Sequence, residues 1–152
     1  SNTLKLIENG ILKNYLVDTY NGKKLNLKSN GRRGGTTNLY FENGDISYED
    51  LMKKNSRSLY ITETIGHGSN LVTGDYSVGA TGFLVEDGEF KYPVNEITIA
   101  GNFKDMFKNI ILANDLEFEY SVNSPTMMIE GMTVAGKWAV IVSLAQEFLE
   151  LQ

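Results

Sequence analysis

Short runs of alternating apolar and polar residues dominate the first two thirds of the chain and predict β-strands. Near the N-terminus, two apolar runs flank Asn9-Gly10, the residue pair favoured in two-residue type I′ turns. Residues 58–65, SLYITETI, are rich in β-branched and aromatic residues, and a second hairpin is predicted to turn at Asp87-Gly88. These patterns indicate antiparallel pairing between strands that follow one another in the chain.

The strand after the second turn changes phase part-way along its length. The alternating apolar set that ends at Val94 and the set that begins at Ile97 are out of phase with each other. One strand cannot bury both sets on one face, so a bulge or bend is predicted near residues 95–96. Pro93 indicates a sheet edge in this region, because proline has no N–H to donate to a neighbouring strand.

Helical spacing occurs in two central segments. Ser47 is a candidate N-cap for a short helix, and Asn102 is a candidate N-cap for a helix over residues 102–114. The second helix carries an apolar stripe that we assign to the core. After it, residues 124–136 have strand character with a turn at Glu130-Gly131, and their methionines fit core packing more simply than an adaptable binding surface.

The last sixteen residues are ambiguous. Their apolar spacing fits a helix, whereas WAVIV alone fits a strand. We therefore expect one domain over residues 1–136 and a divergent or expression-derived tail over residues 137–152. The whole pattern predicts an α+β fold of mainly antiparallel β-sheet, sandwich- or barrel-like, with two or three helices.

Composition and charge narrow the classes of partner and cofactor. The chain has 152 residues and a net charge of −5, and an acidic balance disfavours direct binding to nucleic acid. It has no cysteine, which excludes a thiolate zinc site and a cysteine nucleophile within this chain. No apolar run is long enough to span a bilayer and no signal pattern is present, so we expect a cytoplasmic location and no membrane partner.

The glycine-rich segment IGHGSNLVTGDYSVGATGF, residues 65–83, holds the single histidine of the chain. His67 and Glu63 are four residues apart, but the flanking glycines oppose the helix that would bring them together as metal ligands. No serine near His67 lies in a nucleophile-elbow pattern, so a catalytic triad is not indicated. Two alternatives remain: a side chain that hydrogen-bonds locally, or a loop that lets a partner's backbone approach closely.

We therefore predict no catalytic and no metal-binding residues in this chain. Asp75 fits a turn-forming role better than a ligand role. The loop is the candidate peptide- or partner-binding site, through the following residues: Gly66, His67, Gly68, Asn70, Thr73, Gly74 and Asp75.

The wording of several segments resembles the C-terminal part of the PmbA/TldD family, also called modulators of DNA gyrase. The longest such segment is YITETIGHGSNLVTGDYSVGATGFLVEDGEFKYPVNEITIAGNFKDMFKNIILANDLEF, and it is followed by SPTMMIEGMTVAG. Upstream, GILKNYLVDTYNGKKLNLKSNG and NLYFENGD are similar to the start of the same domain. The resemblance extends from about Leu4 to Gly136.

This resemblance implies an association with metal-dependent proteolysis. One family branch carries a zinc metallopeptidase site, and the other branch is its partner subunit in a cytoplasmic complex that processes or degrades peptides. The family's catalytic His-Glu-x-x-x-His helix does not occur in this sequence, and neither does the cysteine ligand of its C-terminal loop. The resemblance therefore implies the PmbA-like, non-catalytic branch, with peptide substrate, a TldD-like subunit or a second copy as partners.

It also implies that zinc belongs to a catalytic partner, and that the chain alone has no peptidase activity. A structural dimerisation domain with no catalytic role is the alternative.

Overall fold

The computed structural model describes residues 3–32, 35–136 and 149–151. The described residues contain three helices, three long strands and several short strands, which are interspersed along the chain. In chain order they are β1 (Ile7–Glu8), β2 (Ile11–Leu12), α1 (Thr19–Leu25), β3 (Leu39–Tyr40), α2 (Tyr48–Lys53), β4 (Arg57–Ile65), β5 (Asp75–Glu86), β6 (Glu89–Asn102), α3 (Phe103–Met106), β7 (Ile110–Leu112), β8 (Val122–Asn123), β9 (Met127–Ile129), β10 (Met132–Ala135) and β11 (Leu149–Leu151).

The described residues form two compact units, and the smaller one comprises residues up to 41 together with 117–123. Asn9 and Gly10 have φ of 51° and 73°, which confirms the predicted type I′ hairpin between β1 and β2. The second strand of the hairpin is short, since β2 ends at Leu12, and the helix α1 begins at Thr19. Asp18 caps this helix by accepting a hydrogen bond from the Asn21 N–H at 2.6 Å, a start signal that the apolar pattern concealed.

The larger unit is built on a five-stranded sheet in the order β11-β10-β6-β5-β4. β4, β5, β6 and β10 are antiparallel neighbours, whereas β11 runs parallel to β10. The predicted turn between β5 and β6 is confirmed by φ of 51° at Asp87 and 83° at Gly88. The α+β class with mainly antiparallel strands and three helices is thus confirmed, while the sheets of the described residues do not close into a barrel.

The phase change in β6 is a bulge, as predicted. Gly82 pairs with Val94 but Ala80 pairs with Ile97, and Glu96 has φ of 55° at the extra residue. The bulge puts Val94, Ile97 and Ile99 into the same core, whereas Phe90 and Tyr92, which precede Val94 in the alternating set, are exposed. Pro93 lies in the part of β6 that pairs with β5 alone, since the described pairing to β10 involves residues 98–100.

The helix predicted over residues 102–114 is wrong beyond its first turn. Asn102 does cap α3 by accepting from the Lys104 N–H at 3.0 Å, but α3 ends at Met106. Residues 110–112 instead form β7, which pairs with β9 in antiparallel register. The β-branched Ile110 and Ile111 favour a strand once a partner strand is available, and tertiary pairing overrides the helical spacing.

The core of the larger unit lies between the inner face of the large sheet and a layer made of α2, α3 and the β7–β9 pair. Its largest fully buried side chains include Leu51, Leu84 and Ile97. Burying each such side chain stabilises the fold by roughly 1.5–3 kcal/mol. Ser47 caps α2, as predicted, by accepting from the Asp50 N–H at 3.1 Å.

One expectation concerns the C-terminal tail, and a second concerns membrane-spanning segments. Residues 137–148, where a helix or a strand was expected, are outside the described residues, and β11 follows them. None of the helices among the described residues is long and apolar enough to cross a bilayer.

Candidate functional site

The candidate loop connects β4 to β5 and is closed by backbone hydrogen bonds. The Ser77 N–H donates to the Gly68 carbonyl at 2.9 Å, and the Asn70 N–H donates to the Asp75 carbonyl at 2.8 Å. Between these two bonds, the Gly74 N–H donates a hydrogen bond to the Asn70 carbonyl at 2.8 Å. The loop therefore continues the β4–β5 ladder and ends in a tight turn.

Side-chain hydrogen bonds also hold the turn, from residues of the loop and from Asn102 at the end of β6. The Asn70 side-chain oxygen accepts from the N–H groups of Val72 and Thr73 at 3.0 and 3.2 Å. The Thr73 hydroxyl donates to Asp75 Oδ2 at 2.7 Å. Asn102 Nδ2 donates to Asp75 Oδ1 at 3.0 Å and to the Thr73 carbonyl at 3.2 Å. Four polar side chains thus hold the backbone of the turn in one conformation.

These contacts also set the charge of the turn. The hydrogen bonds from Thr73, and after it from Asn102, stabilise the carboxylate and lower the pKa of Asp75 below its ordinary value. Both carboxylate oxygens of Asp75 are engaged within the loop. This arrangement agrees with the predicted turn-forming role of Asp75.

Glycine is required at two positions of the loop for different reasons. A Cβ at Gly68 would lie 1.7 Å from the Ser77 carbonyl oxygen, far inside any contact distance. Gly66 has open space around it but φ of 95°, a conformation that residues with side chains rarely adopt. The loop depends on close backbone approach at Gly68 and on backbone conformation at Gly66.

His67 is exposed, and no hydrogen bond or ion pair joins it to another residue in the described part of the chain. The loop is held by Asn70, Thr73, Asp75 and Asn102 instead. Of these, Asn102 was predicted only as a helix cap. Its second role follows from the strand register, which places Asn102 opposite Asp75.

The described residues do not fit a metal ion. Within residues 3–32 and 35–136, no three histidine, cysteine, aspartate or glutamate side chains converge. The carboxylate of Asp75, the acidic side chain fixed in the loop, already accepts two hydrogen bonds there.

Two features next to the loop are accessible to a partner. β4 is the outer strand of the large sheet, with β5 as its single described neighbour, and its residues 62–65 are exposed. At the tip of the loop, Leu71 and Val72 are 87% and 95% exposed. The structure thus brings a strand edge and a rigid apolar tip to the same end of the sheet.

Comparison with known proteins places the chain in a family. The family model for the PmbA/TldA metallopeptidase C-terminal domain matches residues 1–136. Metalloprotease PmbA of Escherichia coli O157:H7 is 43% identical over 133 residues, which cover 87% of this chain and 30% of that protein. The Metalloprotease TldD homolog of Buchnera aphidicola subsp. Acyrthosiphon pisum is 25% identical, over 86% of this chain and 32% of that protein.

A solved structure shows the same fold. A Thermotoga maritima protein, described as a candidate modulator of a DNA gyrase, matches with a TM-score of 0.76 and 36% identity, over 86% of this chain and 32% of that one. The chain thus spans about a third of the length of the relatives it matches. On this evidence the chain belongs to the PmbA/TldD family and corresponds to its metallopeptidase C-terminal domain.

Proposed function

We propose that residues 1–136 act as the substrate-binding or partner domain of a zinc-dependent peptidase complex that processes or degrades peptides. The observation that carries this proposal is the outer edge of β4 beside a loop of fixed conformation. The membership of the family, whose relatives are named metalloproteases, supplies the reaction class.

The edge of β4 is suited to binding an extended peptide. An outer strand presents a row of N–H and C=O groups on its unpaired side, and an added strand satisfies them. Residues 58–61 are buried or half-buried, while residues 62–65 are exposed. A peptide added here would reach from the core margin to the glycine loop.

The glycine loop would then contact the peptide or a partner subunit. Gly66 has open space around it and carries no side chain that would keep a second backbone at a distance, whereas Gly68 lets the loop's own Ser77 carbonyl approach and so holds the loop in place. His67, Asn70 and Thr73 offer polar groups around them, and Gly74 with Asp75 closes the turn. The hydrogen bonds of Asn70, Thr73 and Asp75 pre-order this surface, which lowers the conformational entropy lost on binding.

The proposed complex also has a defined location for the zinc ion and a defined partner for this chain. Zinc belongs to a TldD-like catalytic subunit, and this chain contributes no ligand to it. The partner is that subunit or a second copy of this chain, in the cytoplasm, without direct contact to nucleic acid or membrane. Mixing the chain with a TldD-like relative, then measuring the mass of the complex by light scattering and its zinc content, checks this assignment. A zinc-bearing complex is expected, and two separate species at high concentration would contradict it.

Peptide binding is tested by amide NMR. An unstructured peptide added to the ¹⁵N-labelled chain, with the partner subunit present, should shift the amide signals of residues 58–65 and 66–75. A peptide of the same sequence that is N-methylated at every residue is the matched control, since it has no N–H group on either edge to donate to the strand. Absence of shifts in both ranges at millimolar peptide would overturn the proposal.

A purely structural dimerisation role is favoured by one observation, the exposure of Leu71 and Val72 at the tip. Apolar side chains held out by a rigid turn are suited to insertion into a partner's surface. If they form the contact, Leu71→Ser with Val72→Ser should convert a dimer to a monomer in light scattering. The pair Leu25→Ser with Leu27→Ser is the control, because these exposed leucines lie in the smaller unit. A monomeric starting protein would remove this alternative.

A further inference from the structure

All five methionines of the chain line one cavity of about 410 Å³ in the larger unit. They are Met52, Met106, Met127, Met128 and Met132. The remaining walls are mostly apolar side chains of the sheet and of α2. Folded cores contain few voids larger than a water molecule, whereas ligand pockets occupy about 300–1,000 Å³. The volume of this cavity is that of a binding pocket.

The cavity extends from the core to the surface. Leu59 and Met128 are buried in its wall, with exposures of 8% and 5%, whereas Met127 at its margin is 36% exposed. Thr64, also in its wall, is exposed. An occupant can therefore enter from solvent and reach the core.

The cavity also lies along the backbone edges of two strands. It contacts four successive residues of β4, 58–61, and four successive residues around β9, 126–129. Neighbouring side chains of a strand point to opposite faces, so a cavity that contacts successive residues touches the strand along its edge. Among the described strands, β4 pairs with β5 and β9 pairs with β7, and each pairs on one side.

We propose that this methionine-lined cavity binds a large apolar side chain, such as leucine, methionine or phenylalanine, of an extended peptide lying between the edges of β4 and β9. This inference rests on the proposed peptide-binding function and adds its specificity. The strand edges bind the peptide main chain through hydrogen bonds, and the cavity selects one of its side chains. Flexible methionine walls adapt to apolar groups of different shape.

The apolar tip of a second copy fits these strand edges poorly. The N–H groups of Val72 and Thr73 in that tip already donate to Asn70. A tight turn with its donors engaged cannot add as a strand, whereas an extended peptide has alternate N–H and C=O groups available. The occupant is therefore an extended segment.

Peptide affinity tests the inference in the unmodified chain. The ligands are heptapeptides of threonine and serine that differ only in a central leucine, alanine or aspartate, and calorimetry measures their affinities. Leucine should bind at least about tenfold more tightly than alanine, because it removes three more carbon atoms from water. Aspartate should bind most weakly, since the cavity offers an ionised group no charge partner.

Methionine methyl NMR locates the binding. With ¹³C-methyl methionine the chain gives five signals, all from the cavity wall. The leucine peptide should shift several of them and the alanine peptide fewer. Met127→Trp, which fills the cavity margin, should abolish the preference for leucine over alanine, whereas Leu25→Trp in the smaller unit should preserve it. Circular dichroism of each variant confirms folding.

The possible results distinguish a failure of the proposed cavity specificity from a failure of the proposed peptide-binding function. Equal binding of the three peptides with unmoved methionine signals overturns the cavity's role and leaves peptide binding intact. Failure of every peptide to bind, first to the chain alone and then after the partner subunit is added to the same calorimetric cell, overturns both. Methionine shifts that grow with protein concentration without peptide would assign the cavity to a second copy and overturn the inference.

Discussion

At the scale of single residues, the turn at the end of the β4–β5 ladder depends on side chains that meet through strand register. Asp75 accepts from Thr73, its near neighbour in sequence, and from Asn102 on the next strand. The local pair was predictable, because Asn, Thr and Asp residues around glycine form such turns. The Asn102 contact was not, because β6 carries two register shifts and the apolar pattern revealed only one of them. A single bulge would have placed Asp75 opposite Gly101.

The pKa of Asp75 is the first prediction at this scale. The carboxyl ¹³C signal should titrate below the ordinary pKa of 3.8, because the hydrogen bonds from Thr73 and Asn102 favour the carboxylate. A lowered folded pKa means that these bonds stabilise the fold above the unfolded pKa of about 3.9, and that the stabilisation is lost as pH falls through the folded value. Thr73→Val should raise the pKa, and Thr81→Val serves as the control. An unchanged pKa in Thr73→Val would show that the hydroxyl does not set it.

Two glycine variants form the second prediction. Gly68→Ala should lower the free energy of unfolding by at least about 2 kcal/mol, since the new methyl group overlaps the Ser77 carbonyl. Gly66→Ala should cost about 1–2 kcal/mol, because the space is open and only the backbone conformation is unfavourable. Urea unfolding measures both. A smaller cost at Gly68 than at Gly66 would contradict this account of the loop.

At the scale of elements, the sequence predicts those that local signals determine. Positive-φ turns at Asn9-Gly10 and Asp87-Gly88, the caps at Ser47 and Asn102, and the long strands follow from residue type and spacing. The error over residues 107–114 has a physical reason. Ile110 and Ile111 satisfy both helical spacing and strand propensity, and the partner strand β9, which decides between them, is distant in sequence.

The cap of α2 gives a prediction at this scale. Ser47→Ala should destabilise the chain by about 1 kcal/mol, because the Asp50 N–H loses its acceptor at the start of a short helix. Ser47→Asp should retain most of the stability, since a carboxylate caps equally well and favours the helix N-terminus. Thermal unfolding of the two variants checks the difference. Equal losses in both would mean that the hydrogen bond is not what matters.

At the scale of the whole molecule, the proposed function depends on the strand edge that the large sheet leaves unpaired at β4. The family resemblance identified the chain, but no residue pattern indicated that β4 would be the outer strand or that five methionines from four segments would line one cavity. Both depend on the order of strands, in which β6 pairs with β5 on one side and with β10, rather than with the next strand β7, on the other. Binding sites of this kind arise from topology and cannot be read from local spacing.

Amide hydrogen exchange of β4, with and without an extended peptide carrying a central leucine, tests the central claim most directly. In the free chain, the N–H groups of the exposed residues 62–65 that point away from β5 should exchange rapidly. Saturating peptide should slow exchange of the β4 N–H groups that point away from β5 on either side of the bulge between Ile61 and Glu63, while the N-methylated peptide should leave exchange unchanged. Bound peptide that leaves every β4 amide unprotected would contradict strand addition at this edge.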